Sequence, residues 1–313
     1  MLHRVLAIAL NTYRESVRAR ILLGLAGVAF AVSFYSLVVG AFTLRNAPRV
    51  VSDLGVASIS LFSIFVAIII GSTSLHRELE QKTIFPILAR PIRRGEYLVG
   101  KYLGTLLTIA VFVMADAGLV LMLGGMSAAQ SPQQATRIAT VGLGLVIALV
   151  LAAIRSPKAR TYGPIPWAAL VLVAGALLAG HAPEERRVVL GGCFLALLEV
   201  AIVAAIGMLF ASFSTPFLSA LLTLGTAIIG RSADTLARFP VKYFGPTGRA
   251  FFVALSKVVP NLHIFVPPRP LFTGEVATVP LAPYLGMATI TAIGWSVGLL
   301  AVAGFIFRKR DFL

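Results

Sequence analysis

Charge is what this chain of 313 residues has little of: 12% of its side chains are charged and 58% are hydrophobic, with a mean hydropathy of +0.93. A soluble domain carries about 25% charged and about 45–50% apolar residues. The chain therefore holds more apolar surface than one water-facing globule can hide, and lipid is the natural solvent for the excess. The same composition excludes a disordered chain. Acids are scarcer than bases, 12 Asp+Glu against 27 Lys+Arg, for a net charge of +15. In a lipid-dissolved chain that excess holds loops on the cytoplasmic side and against anionic membrane lipid, and nucleic acid is not expected as a partner. There is one cysteine, Cys193, set inside an apolar run, which excludes a disulfide framework and a cysteine metal site. The four histidines, His3, His76, His181 and His263, are scattered and form no metal or triad set. No paired-carboxylate or serine–histidine–acid arrangement stands out either, so no catalytic site, cofactor or metal is expected.

What the chain has in abundance is long uncharged stretches. Crossing a hydrocarbon core takes about 20 residues. The runs predict an all-α, polytopic helix bundle in a single membrane domain over 1–313. Eight spans are expected, at roughly 21–44, 54–75, 98–124, 138–154, 162–180, 188–211, 216–232 and 283–307. The apolar run from Val188 to Gly230 is too long for one crossing, and Ser212-Phe213-Ser214-Thr215-Pro216 divides it into two helices joined by a tight turn. The seventh span is short, so Arg231 is expected to snorkel or Phe213–Thr215 to contribute. A six-span reading, with 138–180 lying in the interface, is the alternative.

Orientation follows from the basic residues. With both termini cytoplasmic, the inside segments carry 16 Lys and Arg, and the short outside loops 45–53, 125–137 and 181–187 carry 5. No signal peptide is evident, since Val5–Leu10 is too short and arginines follow it. Leu6, Leu10, Tyr13 and Val17 instead recur at helical spacing, predicting an interfacial helix over 1–19.

The most charge-dense segment, 76–96, runs from His76 to Glu96 between the second and third spans. Ile84, Phe85, Ile87, Leu88 and Ile92 keep it apolar on one side, as suits an element wedged between lipid and a partner protein. Arg77, Glu78, Glu80 and Thr83 lead into it; Arg90-Pro91, Arg93-Arg94 and Gly100-Lys101 follow. These residues resemble the loop between the second and third spans in permease subunits of ABC transporters, in the ABC-2 exporter family. Asn11-Thr12-Tyr13-Arg14-Glu15, Leu209-Phe210-Ala211-Ser212-Phe213-Ser214 and Phe307-Arg308-Lys309-Arg310-Asp311-Phe312 resemble the branch that includes the permease of nitrous oxide reductase maturation. The resemblance covers about 1–125 and 188–313, leaving 138–187 as an inserted hairpin beside a six-span core. It implies an exporter of the cell membrane in which two permease subunits pair as a homo- or heterodimer. Each would dock on an ABC ATPase subunit that binds ATP and Mg²⁺, with Arg77, Glu78, Glu80, Thr83, Arg90, Pro91, Arg93 and Arg94 as the coupling residues. Gly95-Glu96-Tyr97-Leu98-Val99-Gly100-Lys101-Tyr102 nearly spells a phosphate-binding loop, but a loop precedes it, a membrane helix follows, and Tyr102 stands where a Ser or Thr must hold Mg²⁺.

Two acids lie inside predicted spans, Asp116 and Glu199. An acid at mid-membrane costs about 2.5–3.5 kcal/mol on insertion scales, so each should face protein or water. Both are candidates for a transport path, with Glu199 favoured, and in an ion-coupled secondary transporter they would be the coupling acids. An interhelical hydrogen bond is the structural alternative for each. Met114, Met122 and Met126 share a helical face, which suits core packing better than copper without a Cys or His partner. The outside segment 231–282 carries Phe251, Phe252, Val253, Leu255, Val258 and Val259 among its bases, predicting short helices that dip into the outer leaflet.

Overall fold

The computed structural model describes residues 2–43, 46–80, 94–238, 241–275 and 280–309. Every regular element among them is helical. In chain order they are α1 (Leu2–Arg18), α2 (Arg20–Ala41), α3 (Ala47–Glu80), α4 (Arg94–Ser127), α5 (Pro132–Arg155), α6 (Pro157–Tyr162), α7 (Pro164–Leu178), α8 (Pro183–Ala211), α9 (Pro216–Arg231), α10 (Ala233–Ala237), α11 (Val241–Val258), α12 (Pro270–Thr273) and α13 (Leu281–Lys309). Proline opens α5, α7, α8 and α9, where its missing N–H costs no hydrogen bond and its fixed φ suits the first turn. Ser131 caps α5 by accepting the Gln134 N–H at 3.4 Å, and Glu184 and Glu185 sit in the first turn of α8, where the helix dipole favours them.

Among the described residues, seven helices are long and apolar enough to cross a membrane: Leu22–Ala41, Ala47–Thr73, Arg94–Ser127, Pro132–Arg155, Pro164–His181, Pro183–Ala211 and Leu281–Phe307. The expected span not among them is the seventh, α9, whose 16 residues reach about 24 Å, short of the roughly 30 Å hydrocarbon core. The hairpin expected over 138–187 corresponds to α5 and α7, each long and apolar enough to cross a membrane. Helix α11 is kinked at Gly245, whose φ of 68° needs a residue without Cβ, ahead of Pro246. Its Phe251 and Val258 are exposed.

Helices α3, α4 and α8 form the centre of the bundle, and their facing residues, among them Ile59, Val66, Ile109, Val120, Leu195 and Val203, are fully enclosed. Small residues set how closely neighbours approach. A Cβ on Gly118 of α4 would lie 2.6 Å from the Val171 carbonyl carbon of α7, and one on Gly175 of α7 would lie 2.6 Å from the Gly118 oxygen, so these two backbones touch. Helix α1 is held the same way. A Cβ on Gly104 would lie 2.4 Å from the Ala9 oxygen, and α1 buries Val5, Ala9, Thr12, Tyr13 and Ser16 against this close seam. On α1 Tyr13 is thus enclosed, whereas Leu6 is 57% exposed and faces away from the bundle.

Candidate functional site

The intramembrane charges converge on two places. Glu199, fully buried near the middle of α8, accepts two hydrogen bonds from Arg231 at the end of α9: Nε to Oε1 at 2.7 Å and Nη2 to Oε2 at 2.8 Å. Ser60 of α3 completes the group, donating to Glu199 Oε2 at 3.4 Å and accepting from Arg231 Nη2. Arg231 does not snorkel as expected. Its fork matches a carboxylate in a medium where both charges would otherwise be costly, so it turns inward and neutralises the buried acid. Pairing was missed in the sequence, although a signal existed. Glu199 lies twelve residues before Ala211 and Arg231 fifteen after Pro216, so two antiparallel helices rising about 1.5 Å per residue from the turn at 212–215 bring them to similar height.

Asp116 is also fully buried, on α4, but no base answers it among the described residues. Ser33 of α2 donates to Oδ1 at 2.8 Å, and Oδ2 is buried without a hydrogen-bond partner among those residues. Of the two acids, the one favoured from sequence is therefore committed to an ion pair, and the other keeps an uncommitted oxygen. The three methionines do not form one site: Met114 packs beside the cluster of Tyr13, Val111 and Ala168, whereas Met122 and Met126 belong to another around Ile138. No group of His, Cys, Asp and Glu among the described residues could hold a metal ion.

At one end of the bundle, Arg269 from the segment 231–282 bonds Glu185 at the start of α8 at 2.9 Å and Ser52 of α3 at 3.2 Å, and also pairs with Asp53. Three loops expected on the same side are thus tied by one guanidinium. Asn261 donates to Asp234 Oδ1 at 2.7 Å, and the Leu262 N–H reaches the Gly230 oxygen at 3.0 Å, which folds the same segment back over the end of α9.

At the other end, Arg94 Nη1 donates to the Phe307 oxygen at 3.2 Å, the Tyr97 and Phe307 rings stack 6.3 Å apart, and buried Lys101 reaches Glu15 of α1 at 3.5 Å. The start of α4 is thereby clamped to both α1 and the end of α13. Of the expected coupling residues, Arg94 opens α4, and Arg77, Glu78 and Glu80 fall on the last turns of α3. Thr83, Arg90, Pro91 and Arg93 lie outside the described residues.

Seven apolar helices of crossing length, with paired and hydrogen-bonded charges buried between them, make the chain a multi-span membrane protein. The family model described as ABC-2 family transporter protein matches residues 14–162, so the stretch from the last turn of α1 to the end of α6 is similar to ABC-2 family transporters. The match includes Asp116, the segment 76–96 and all of α5, the first helix of the expected inserted hairpin; it does not include Glu199. No curated protein matches the sequence.

Proposed function

We propose that the chain is the membrane-spanning permease subunit of an ATP-driven exporter, powered by a separate ABC ATPase and paired with a second permease subunit. The observation that carries this reading is the similarity to ABC-2 family transporters over 14–162, which encloses the segment between α3 and α4. That segment returns to the bundle at Arg94, where α4 is clamped to α1 and α13. A push delivered to the segment by a partner is therefore passed to three helices together and not to one. The partner supplies ATP binding and Mg²⁺; this chain supplies the surface that receives the push and the path through the lipid. The finer likeness to the nitrous oxide reductase maturation branch rests on the sequence motifs alone.

A second reading, an ion-coupled carrier, draws support from Asp116, whose uncommitted buried oxygen suits a proton or cation. In either reading Asp116 is the acid available to cargo, since Glu199 must first part from Arg231.

Co-expression with a candidate ABC ATPase, followed by pull-down, tests the first reading. Arg93→Glu, which leaves the Arg94 contact in place, is expected to remove most of the bound ATPase. Undiminished capture by that variant would count against docking through the segment.

A further inference from the structure

Helix α5 is apolar along most of its length, yet Ile138 is its one buried residue; Leu143, Val146, Val150, Leu151 and Ile154 are all exposed. Its inner face does not close onto the bundle. Between it and α2, α4 and α7 lies a cavity of about 360 Å³, open on one side, with Phe30 and Phe34, Met122 and Met126, Gly142 and Trp167 in its walls. Trp167 spans the gap at one point, donating its indole N–H to the Leu145 oxygen at 2.8 Å.

Water is a poor occupant. A buried water needs about two to four polar partners, and a cavity walled by apolar side chains stays dry. An empty space of this size forfeits the dispersion contacts that close packing supplies to every wall. All four bordering helices are long and apolar enough to cross a membrane, which sets the space among spans that hydrocarbon surrounds.

We infer that the acyl chain of a bilayer phospholipid occupies this cavity and acts as the packing partner of α5. The ligand class follows from the walls: a flexible alkyl chain, with no requirement for a polar group at depth. Two methionines suit such an occupant, because their unbranched thioethers adapt to a chain that enters and leaves. The chain joins α5 to the α2–α4–α7 wall where protein side chains do not.

Trp167 and Trp295 are the two tryptophans of the protein, so a Trp295→Phe chain reports on the cavity wall alone. In vesicles of phosphatidylcholine whose acyl chains carry bromine, Trp167 fluorescence is expected to be strongly quenched. Adding Gly142→Leu, whose Cβ would start 3.3 Å from the adaptable Met122 Sδ and whose branch would grow into the space, should remove most of that quenching without lowering the melting temperature. Ala139→Leu, from the same wall, is expected to do the same and serves if Gly142→Leu fails to fold.

Equal quenching with and without the filling side chains would overturn the inference. Quenching by added brominated fatty acid in unbrominated vesicles, with none from brominated phospholipid, would overturn the assignment to bilayer lipid. Leu143 lines the cavity and is exposed, and the protein's own Cys193 is buried. Disulfide formation between two Leu143→Cys chains would place a second copy there and overturn it as well.

Discussion

Arg231 meets Glu199 with two hydrogen bonds of 2.7 and 2.8 Å inside a bundle whose other side chains are mostly apolar. The carboxylate is wholly enclosed and the guanidinium about one-third exposed, so the pair reaches from the end of short α9 into the middle of α8. It decides the position of a helix too short to be held by a full crossing.

Removing one partner should therefore cost more than removing both. Arg231→Leu leaves a buried carboxylate with only Ser60 for company and is expected to lose about 3–5 kcal/mol of stability. Glu199→Leu with Arg231→Leu should recover most of it, since an apolar pair of similar volume is often neutral. Thermal unfolding in detergent of the two single variants and the double variant checks this. A loss in the double variant equal to the sum of the two single losses would show that the pair is not coupled.

Arg269 gathers Asp53, Ser52 and Glu185 at one end of the bundle. Arg269→Gln should free the segment 231–275 from the helix ends, read as faster proteolysis there, with a stability loss of about 1 kcal/mol because Asp53 is half exposed. Arg269→Lys should not rescue it, since a single ammonium cannot replace a fork that reaches two carboxylates.

Gly104 lies against Ala9, with no room for a Cβ. Gly104→Val should push α1 off α4 at a cost of about 1–3 kcal/mol. It should also part Lys101 from Glu15, a cross-link lost between cysteines placed on α1 and α4. Gly95→Ala in the first turn of α4, where the space is open, should have no such effect and serves as the control.

Asp116 separates structural from transport roles. Ser33→Ala removes the hydrogen bond to Oδ1 and is expected to cost about 1–3 kcal/mol by leaving a buried polar group unpaired. Asp116→Asn keeps an acceptor for Ser33. It should leave assembly intact and lower transport if the carboxyl handles cargo or protons. Wild-type transport by Asp116→Asn removes Asp116 from the path.

Helices were legible in the sequence wherever an uncharged run had the length to cross lipid, because satisfying every backbone group inside hydrocarbon leaves a single chain segment little but helix. The turn at 212–215 was legible for the same local reason: proline and serines interrupt an apolar run. Side-chain pairing was not. Glu199 and Arg231 are 32 residues apart, and Asp116 and Ser33 are 83 apart, so which acid found a base depended on how helices pack. The seam between α1 and α4 was not legible either, because it is set by the absence of a side chain at Gly104 and not by a hydrophobic pattern.

The amino-acid sequence alone determined that this is an all-helical membrane protein with a charged segment between its second and third spans, since composition and run length act locally along a chain. Tertiary structure decided that Arg231 turns inward, that Asp116 Oδ2 meets no hydrogen-bond partner among the described residues, and that α5 stands off from its neighbours around a cavity. Those outcomes depend on distances between residues far apart in the chain, which only packing establishes.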